Sequence, residues 1–145
     1  MNRFVRRVWL ALRQNSAATH PVSEDARLRG RTYAIPFDTV WQVATQLADG
    51  GLPRWRMHSA DDREGVIVAE AARLFPRGWV DDVVIRISLD ANAQTRVDAR
   101  SAARNRWADL GANARRLGKL FRTMDRELAR LRTARPPFRP ASAAG

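Results

Sequence analysis

The sequence predicts an α+β fold: an antiparallel β-sheet with a helix after its first strand and a long C-terminal helix packed on the sheet. Three observations carry this reading. Between residues 54 and 102 apolar and polar residues alternate in several short runs, the period of a strand with one covered face. Leu110, Ala114, Leu117, Phe121, Met124, Leu128 and Leu131 recur at intervals of four and three, a single apolar stripe along a helix. The chain has 145 residues, 45% of them hydrophobic and 28% charged, which suits one core of one sheet and two helices and is too short for two ordinary domains.

The elements follow in order. "RTYAI", from Arg31, is a short strand, and "PFDTVWQVATQLADGG" is a helix in which Asp38 is placed to accept the first free amides and Gly50 or Gly51 to supply a left-handed stop. Phe37, Val40, Ala44 and Leu47 share the face that should lie on the sheet. "RWRMH" and the apolar run from Val66 to Leu74 are the next strands, with Pro76 and Gly78 bending the chain after them. In "VDDVVIRISLD" the residues Val83, Ile85, Ile87 and Leu89 face one way and Asp82, Val84, Arg86 and Ser88 the other. "TRVDARSA" sets Thr95, Val97, Ala99 and Ser101 on one face and Arg96, Asp98, Arg100 and Ala102 on the opposite one. A loop of Ala91, Asn92 and Ala93 would place Asp90 against Gln94, Arg86 against Asp98 and Arg100 beside Val84, gathering Asp82, Arg86, Asp98 and Arg100 into one charge cluster. The long helix is expected from Asp109 to Arg132, with Arg115, Arg116, Lys119, Arg122, Arg126 and Arg130 on a solvated outer face and the last turns overhanging the sheet.

Charge is distributed unevenly. The net +11 resolves into +4 over residues 1–13, −2 over 14–99 and +9 over 100–145, so both ends are cationic around a nearly neutral middle. This pattern draws a protein toward an anionic lipid or nucleic-acid surface. Residues 1–14 form a basic amphipathic segment: Phe4, Val5, Val8, Trp9, Ala11 and Leu12 share half of a helical wheel, with Arg3, Arg6, Arg7 and Arg13 opposite and only Leu10 astray. Its apolar stretch is too short for a secretory signal or a bilayer span. The segment either faces a membrane with Phe4, Val5, Val8, Trp9 and Leu12 or packs on its own domain or a second copy. Residues 15–30 read as a polar linker, 31–132 as the α+β domain, and 133–145 as a Pro-rich disordered tail.

Chemistry is sparse in the sequence. No cysteine is present, which excludes disulfides, thiolate metal sites and cysteine nucleophiles. His20 and His58 are isolated, so no metal site is expected, and no phosphate-cradling glycine loop appears. Ser88 and Ser101 have no histidine nearby in sequence, and the adjacent pairs Asp61/Asp62 and Asp81/Asp82 point to opposite faces of a strand, a poor arrangement for acid–base work. No cofactor and no catalysis are expected.

"VDDVVIRI" followed by "RSAARNRWADLGANARRL" resembles the signature of the bacterial and plastid family known as domain of unknown function 1499. There, a strand with two acids and an arginine leads into Arg-Ser-x-Ser-Arg-x-Gly and then Asp-x-Gly-x-Asn-x-x-Arg. The matching positions are Asp81, Asp82, Arg86, Arg100, Ser101, Arg104, Asp109, Gly111, Asn113 and Arg116, and the layout extends from about Arg31 to Leu131. Ala103 stands at the second serine, Arg106 at the glycine, and "THPVSEDARL" corresponds to an upstream stretch that contains cysteine in the family. Many relatives have envelope-directed N-termini, where this chain has its basic segment. The resemblance implies no activity.

Two readings of these residues stand side by side. In one, Asp109 caps the long helix, Gly111 lets its start approach the sheet, Asn113 bonds the preceding loop, and Arg100, Arg104 and Arg116 neutralise Asp81, Asp82 and Asp109, so that the network Asp82, Arg86, Arg100, Ser101, Arg104, Asp109, Gly111, Asn113 and Arg116 is structural. In the other, the same arginines and the free amides at the helix start hold a carboxylate or phosphate. The expected architecture is helix-grip-like, with room for a small ligand between long helix and sheet. The expected role is a non-catalytic accessory or binding protein, cytoplasmic and peripheral at the cytoplasmic membrane. The alternatives are a nucleic-acid-binding protein, using arginines among Trp55, Trp79 and Trp107, and an enzyme of unknown type.

Overall fold

The computed structural model describes residues 16–18, 30–74, 77–103 and 110–134. Six strands form one antiparallel sheet: β1 (Ser16–Ala18), β2 (Arg31–Tyr33), β3 (Trp55–Asp61), β4 (Val66–Ala72), β5 (Val80–Leu89) and β6 (Thr95–Ala103). The four long strands run as a meander β3-β4-β5-β6, and the outer edge of β6 is shared by β2 near its start and β1 near its end. Helices α1 (Phe37–Gln46) and α2 (Leu110–Ala134) lie on one face. The fold is therefore α+β, with a helix after the strand at Arg31 and a long C-terminal helix, as the periodicity predicts.

The β5–β6 pairing has the register that a three-residue loop imposes. Arg86 faces Asp98, Arg100 faces Val84, and the Asp90 amide bonds the Gln94 carbonyl at 2.8 Å. Asp90 organises the loop by accepting from the amides of Asn92 at 2.8 Å and Gln94 at 2.9 Å, while Ala93 takes the left-handed position at φ 58°. At the β3–β4 hairpin, Gly65 has φ 66° and lies so close to β5 that a Cβ would overlap the Ile87 carbonyl.

The core lies between the helices and the sheet. Val40, Ala44 and Leu47 of the α1 region, Leu117, Leu120, Phe121, Met124 and Leu128 of α2, and Ile67, Val83, Ile85, Ile87 and Val97 of the sheet are buried together. A smaller cluster of Val66, Val68, Val84 and Ala102 is buried on the second face. The apolar stripe of α2 is thus core along most of its length, and Leu131, 37% exposed, marks the overhanging end.

Several expectations change. Asp38 does not cap α1: it is the second helical residue, Pro36 holds the cap position without a side-chain hydrogen bond, and the Thr39 and Val40 amides bond the Pro36 carbonyl at 3.1 and 3.2 Å. Its charge still suits the positive end of the helix. Gly50, at φ 96°, is the left-handed stop, inside the turn Leu47–Gly51 that follows α1. Ser16–Ala18, inside the stretch read as a linker, pairs with Arg100–Ala102; edge pairing needs only backbone groups, so this small-residue segment carries no side-chain signal for it. The long helix runs to Ala134, two residues beyond Arg132. Segment 1–14 and the tail after Ala134 lie outside the described residues, as do Arg104 and Asp109.

Near the C-terminal half of α2, Asp125 ties the helix to β2. The Tyr33 hydroxyl donates to Asp125 Oδ1 at 2.6 Å, Arg31 Nε donates to Oδ2 at 3.4 Å, and the Arg31 guanidinium lies 5.1 Å from the Phe121 ring centre. Burial first, then the hydrogen bond and charge of Asp125, push the Tyr33 pKa above its usual 10.0, with Arg31 pulling weakly the other way. Folding stability is then full below about pH 10 and falls above it, because only the unfolded chain releases this proton. Tyr33 is the only tyrosine. We therefore expect phenolate absorbance to appear near pH 10 in urea-unfolded protein and well above that in native protein. Replacing Phe121 by alanine should lower stability by about 3–5 kcal/mol in urea titrations with an unchanged denaturant slope.

Candidate functional site

Asp81 is the centre of the site. Strand alternation puts it on the helix-covered face with Val83 and Ile85, where it is 1% exposed. A carboxylate in that setting requires charged partners. Arg73, just past the end of β4, grips it with both arms: Nε lies 3.0 Å from Oδ2 and 3.2 Å from Oδ1, and Nη2 lies 3.0 Å from Oδ1. Arg116, from the first half of α2, brings Nη1 to 2.5 Å from Oδ2. The register that pairs Ala71 with Asp81, together with the Arg73 amide bonded to the Trp79 carbonyl at 2.8 Å, keeps Arg73 on the face of Asp81. The Arg73 guanidinium also lies 5.9 Å from the Trp79 ring centre.

Ser101 and Asn113 complete the network, both buried. The Ser101 hydroxyl donates to Asn113 Oδ1 at 2.7 Å, and Arg116 Nη1 donates to Asn113 Oδ1 at 3.2 Å and to Ser101 Oγ at 3.4 Å. Burial is the largest influence on the Arg116 guanidinium and lowers its pKa; Asp81 raises it, and Arg73 and Arg54 lower it again. One buried carboxylate thus faces two arginines, leaving one positive charge over. Among the described residues, Arg73 Nη1 and Arg116 Nε and Nη2 donate to nothing.

These arginines border a cavity of about 470 Å³ between α2, the end of β4 and the turn before β3. Its cations are Arg54, Arg73, Arg115, Arg116 and Lys119, and its apolar wall includes Leu52, Trp55, Ala71 and Leu74. Among the described residues no acidic side chain lines it; Asp81 is buried beneath Arg73 and Arg116. Asn113, Arg116 and Leu120 follow one another at helical intervals of three and four, which carries Arg116 onto the flank of α2 that meets the sheet. Its side chain is 14% exposed, so it does not belong to the solvated outer face assigned to it from the sequence.

The residues singled out from sequence divide by face. Ser101, Asn113 and Arg116 come together, and Gly111 sits in the first turn of α2. Asp82, Arg86 and Arg100 occupy the other side of the sheet, where Asp82 faces Glu70 and Ala102. Arg86 and Asp98 share that face as expected, yet the fork on Asp98 comes from Arg96, at 2.8 and 2.9 Å, and Arg86 is exposed. Glu70 holds Arg56 at 2.9 Å and His58 at 2.8 Å there. Arg100 and Arg116 therefore do not converge on one anion. Arg73, the principal partner of Asp81, has no place in the sequence-derived site, although an acid on the apolar face of a strand is a signal that a cation must be near.

Trp55 is buried in the core and Trp41 stacks on Phe37 with ring centres 5.8 Å apart, while Trp107 lies outside the described residues. Among the described residues no group of three or more His, Cys, Asp or Glu side chains is placed to hold a metal ion, and no helix is long and apolar enough to cross a membrane. Replacing Asp81 by alanine strands two largely buried guanidinium groups and should cost about 3–5 kcal/mol in chemical denaturation. Replacing Asp82 by alanine, one residue away on the other face, should cost less than about 1 kcal/mol.

No curated protein matches the chain. The model of a protein family described as "Protein of unknown function (DUF1499)" matches residues 12–124, a span that takes in β1, the whole sheet, the Asp81 network and most of α2. The chain belongs to the DUF1499 family.

Proposed function

We propose that this is a non-catalytic binding protein whose cavity takes an anion. The observation that carries the reading is the described lining itself: five cationic side chains border one concave surface, and Asp81, the carboxylate that two of them share, is buried. Cations set in a low-dielectric wall focus their potential into the concavity. Guanidinium groups with donors left over match the planar, multi-acceptor form of a carboxylate or phosphate. The described lining offers cations and hydrocarbon, and neither histidine nor serine, which favours binding over reaction.

Trp55 is buried in the core and Trp79 lies against the Arg73 guanidinium, so a small anion suits the described residues better than a nucleic acid. The basic amphipathic segment 1–14 favours work at the cytoplasmic face of an anionic membrane. On this reading, sedimentation with anionic vesicles is lost when the segment is removed.

Charge reversal separates the cavity from general basicity. Lys119 lines the cavity and Arg126, on the same helix, does not. Calorimetry with inorganic phosphate should give about tenfold weaker binding for Lys119→Glu, a change of about 1.4 kcal/mol. Arg126→Glu, made with the same helix and sign of change, should stay within about twofold of the unaltered protein. Equal losses in both variants would overturn the cavity as the site.

A further inference from the structure

We infer that the anion is the head of an amphiphile, a phosphate or carboxylate joined to a hydrocarbon body, and that Arg54 is kept at the cavity mouth to meet that head. This rests on the anion reading above and deepens it. Size argues first. A water molecule takes about 30 Å³ of liquid and a phosphate amounts to roughly two or three waters, so a bare phosphate fills less than about a fifth of the cavity. The volume of about 470 Å³ lies within the range of sites for whole organic molecules. The remaining wall is apolar: Leu52, Trp55 and Ala71 line the inside, and Leu74 at the lip is 74% exposed, a large aliphatic side chain left to water unless a ligand covers it.

Arg54 argues second. Leu52, Pro53, Arg54 and Trp55 form a tight turn closed by the Trp55 amide on the Leu52 carbonyl at 3.2 Å. Proline is at home at the first central position, whereas the second, with φ 64°, is the place of glycine. An arginine there strains the backbone, and among the described residues its side chain makes no hydrogen bond or ion pair in return. Ala93, the other non-glycine residue at positive φ among the described residues, sits in a loop that Asp90 already organises and has only a methyl group to offer. The Ala72 amide bonds the Arg54 carbonyl at 2.9 Å, which fixes the turn against the end of β4 and holds the Arg54 backbone beside the cavity. Its charge is felt at Arg116, whose pKa it helps to lower.

The test is calorimetry on the full chain with inorganic phosphate, hexyl phosphate and hexanol. A fully buried methylene is worth about fourfold in affinity. Hexyl phosphate should bind at least about 30-fold more tightly than inorganic phosphate, and hexanol should not bind measurably. Arg54→Gly should weaken hexyl phosphate about tenfold without lowering the thermal midpoint, since glycine suits the turn, and Arg54→Lys should restore most of the binding. Equal affinity for inorganic and hexyl phosphate would overturn the amphiphile and leave the anion reading standing. Equal affinity for hexanol and hexyl phosphate would overturn the anionic head, and no binding of either phosphate would overturn both readings. Unchanged binding by Arg54→Gly would overturn the role of Arg54. Incubation with phosphatidylcholine vesicles containing phosphatidate separates the sources. Lipid recovered one-to-one with the protein assigns a membrane lipid, hexyl phosphate binding without recovered lipid assigns a soluble metabolite, and either supports the inference.

Discussion

A carboxylate set among aliphatic side chains has to be neutralised, and in this protein Asp81 is neutralised by arginines from two different elements. Arg73 reaches it from the end of β4 and Arg116 from α2, while Ser101 on β6 and Asn113 on α2 hold the second arginine in place. The contact therefore sets how the end of the β4–β5 hairpin, the start of the long helix and β6 sit relative to one another. Its energetic worth is conditional: a buried ion pair contributes little over a hydrophobic substitute, yet losing one member is severe because the other charge stays behind. That asymmetry makes the cluster a strong constraint on geometry and a weak source of net stability.

The charge imbalance at Asp81 gives the cavity its character. Two guanidinium groups against one carboxylate leave a positive charge that Arg54, Arg115 and Lys119 reinforce, and the low-dielectric wall of Leu52, Trp55 and Ala71 keeps water from screening it fully. On the proposed reading, structural and binding roles are thus not alternatives for Arg73 and Arg116. Each uses part of its five-donor fork to neutralise the buried acid and has donors left over at the cavity. At the other half of the helix, Asp125 with Tyr33 and Arg31 makes a second polar tie, to β2. Between the two ties, Leu117, Leu120, Phe121 and Met124 supply apolar burial.

Sheet parity divides the family signature. Asp81 and Ser101 point to the helices with Asn113 and Arg116, whereas Asp82, Arg86 and Arg100 point to the opposite face. Neighbours in sequence become members of different surfaces, and a run that reads as one dense site is really two. On the second face Val66, Val68, Val84 and Ala102 form their own small buried cluster among charged residues, so that face combines apolar packing with the Glu70 and Asp98 ion pairs.

Local rules were enough for the class of fold, the two helices, the alternation of the long strands and the β5–β6 register, because each depends on spacings of two, three or four residues and on one loop length. They also brought Ser101, Asn113 and Arg116 into one candidate group, though not their separation from Arg100. Two other features depended on contacts with no local pattern. Arg73 meets Asp81 only through the register of the β4–β5 hairpin, and Ser16–Ala18 joins the edge of β6 through backbone groups that every residue possesses. The cavity itself appears only when the Pro53–Arg54 turn, the end of β4 and the flank of α2 are brought together. Periodicity tells which side of an element is covered; which charges then face one another is decided by register and helix rotation, and those are set by the packing of the whole domain.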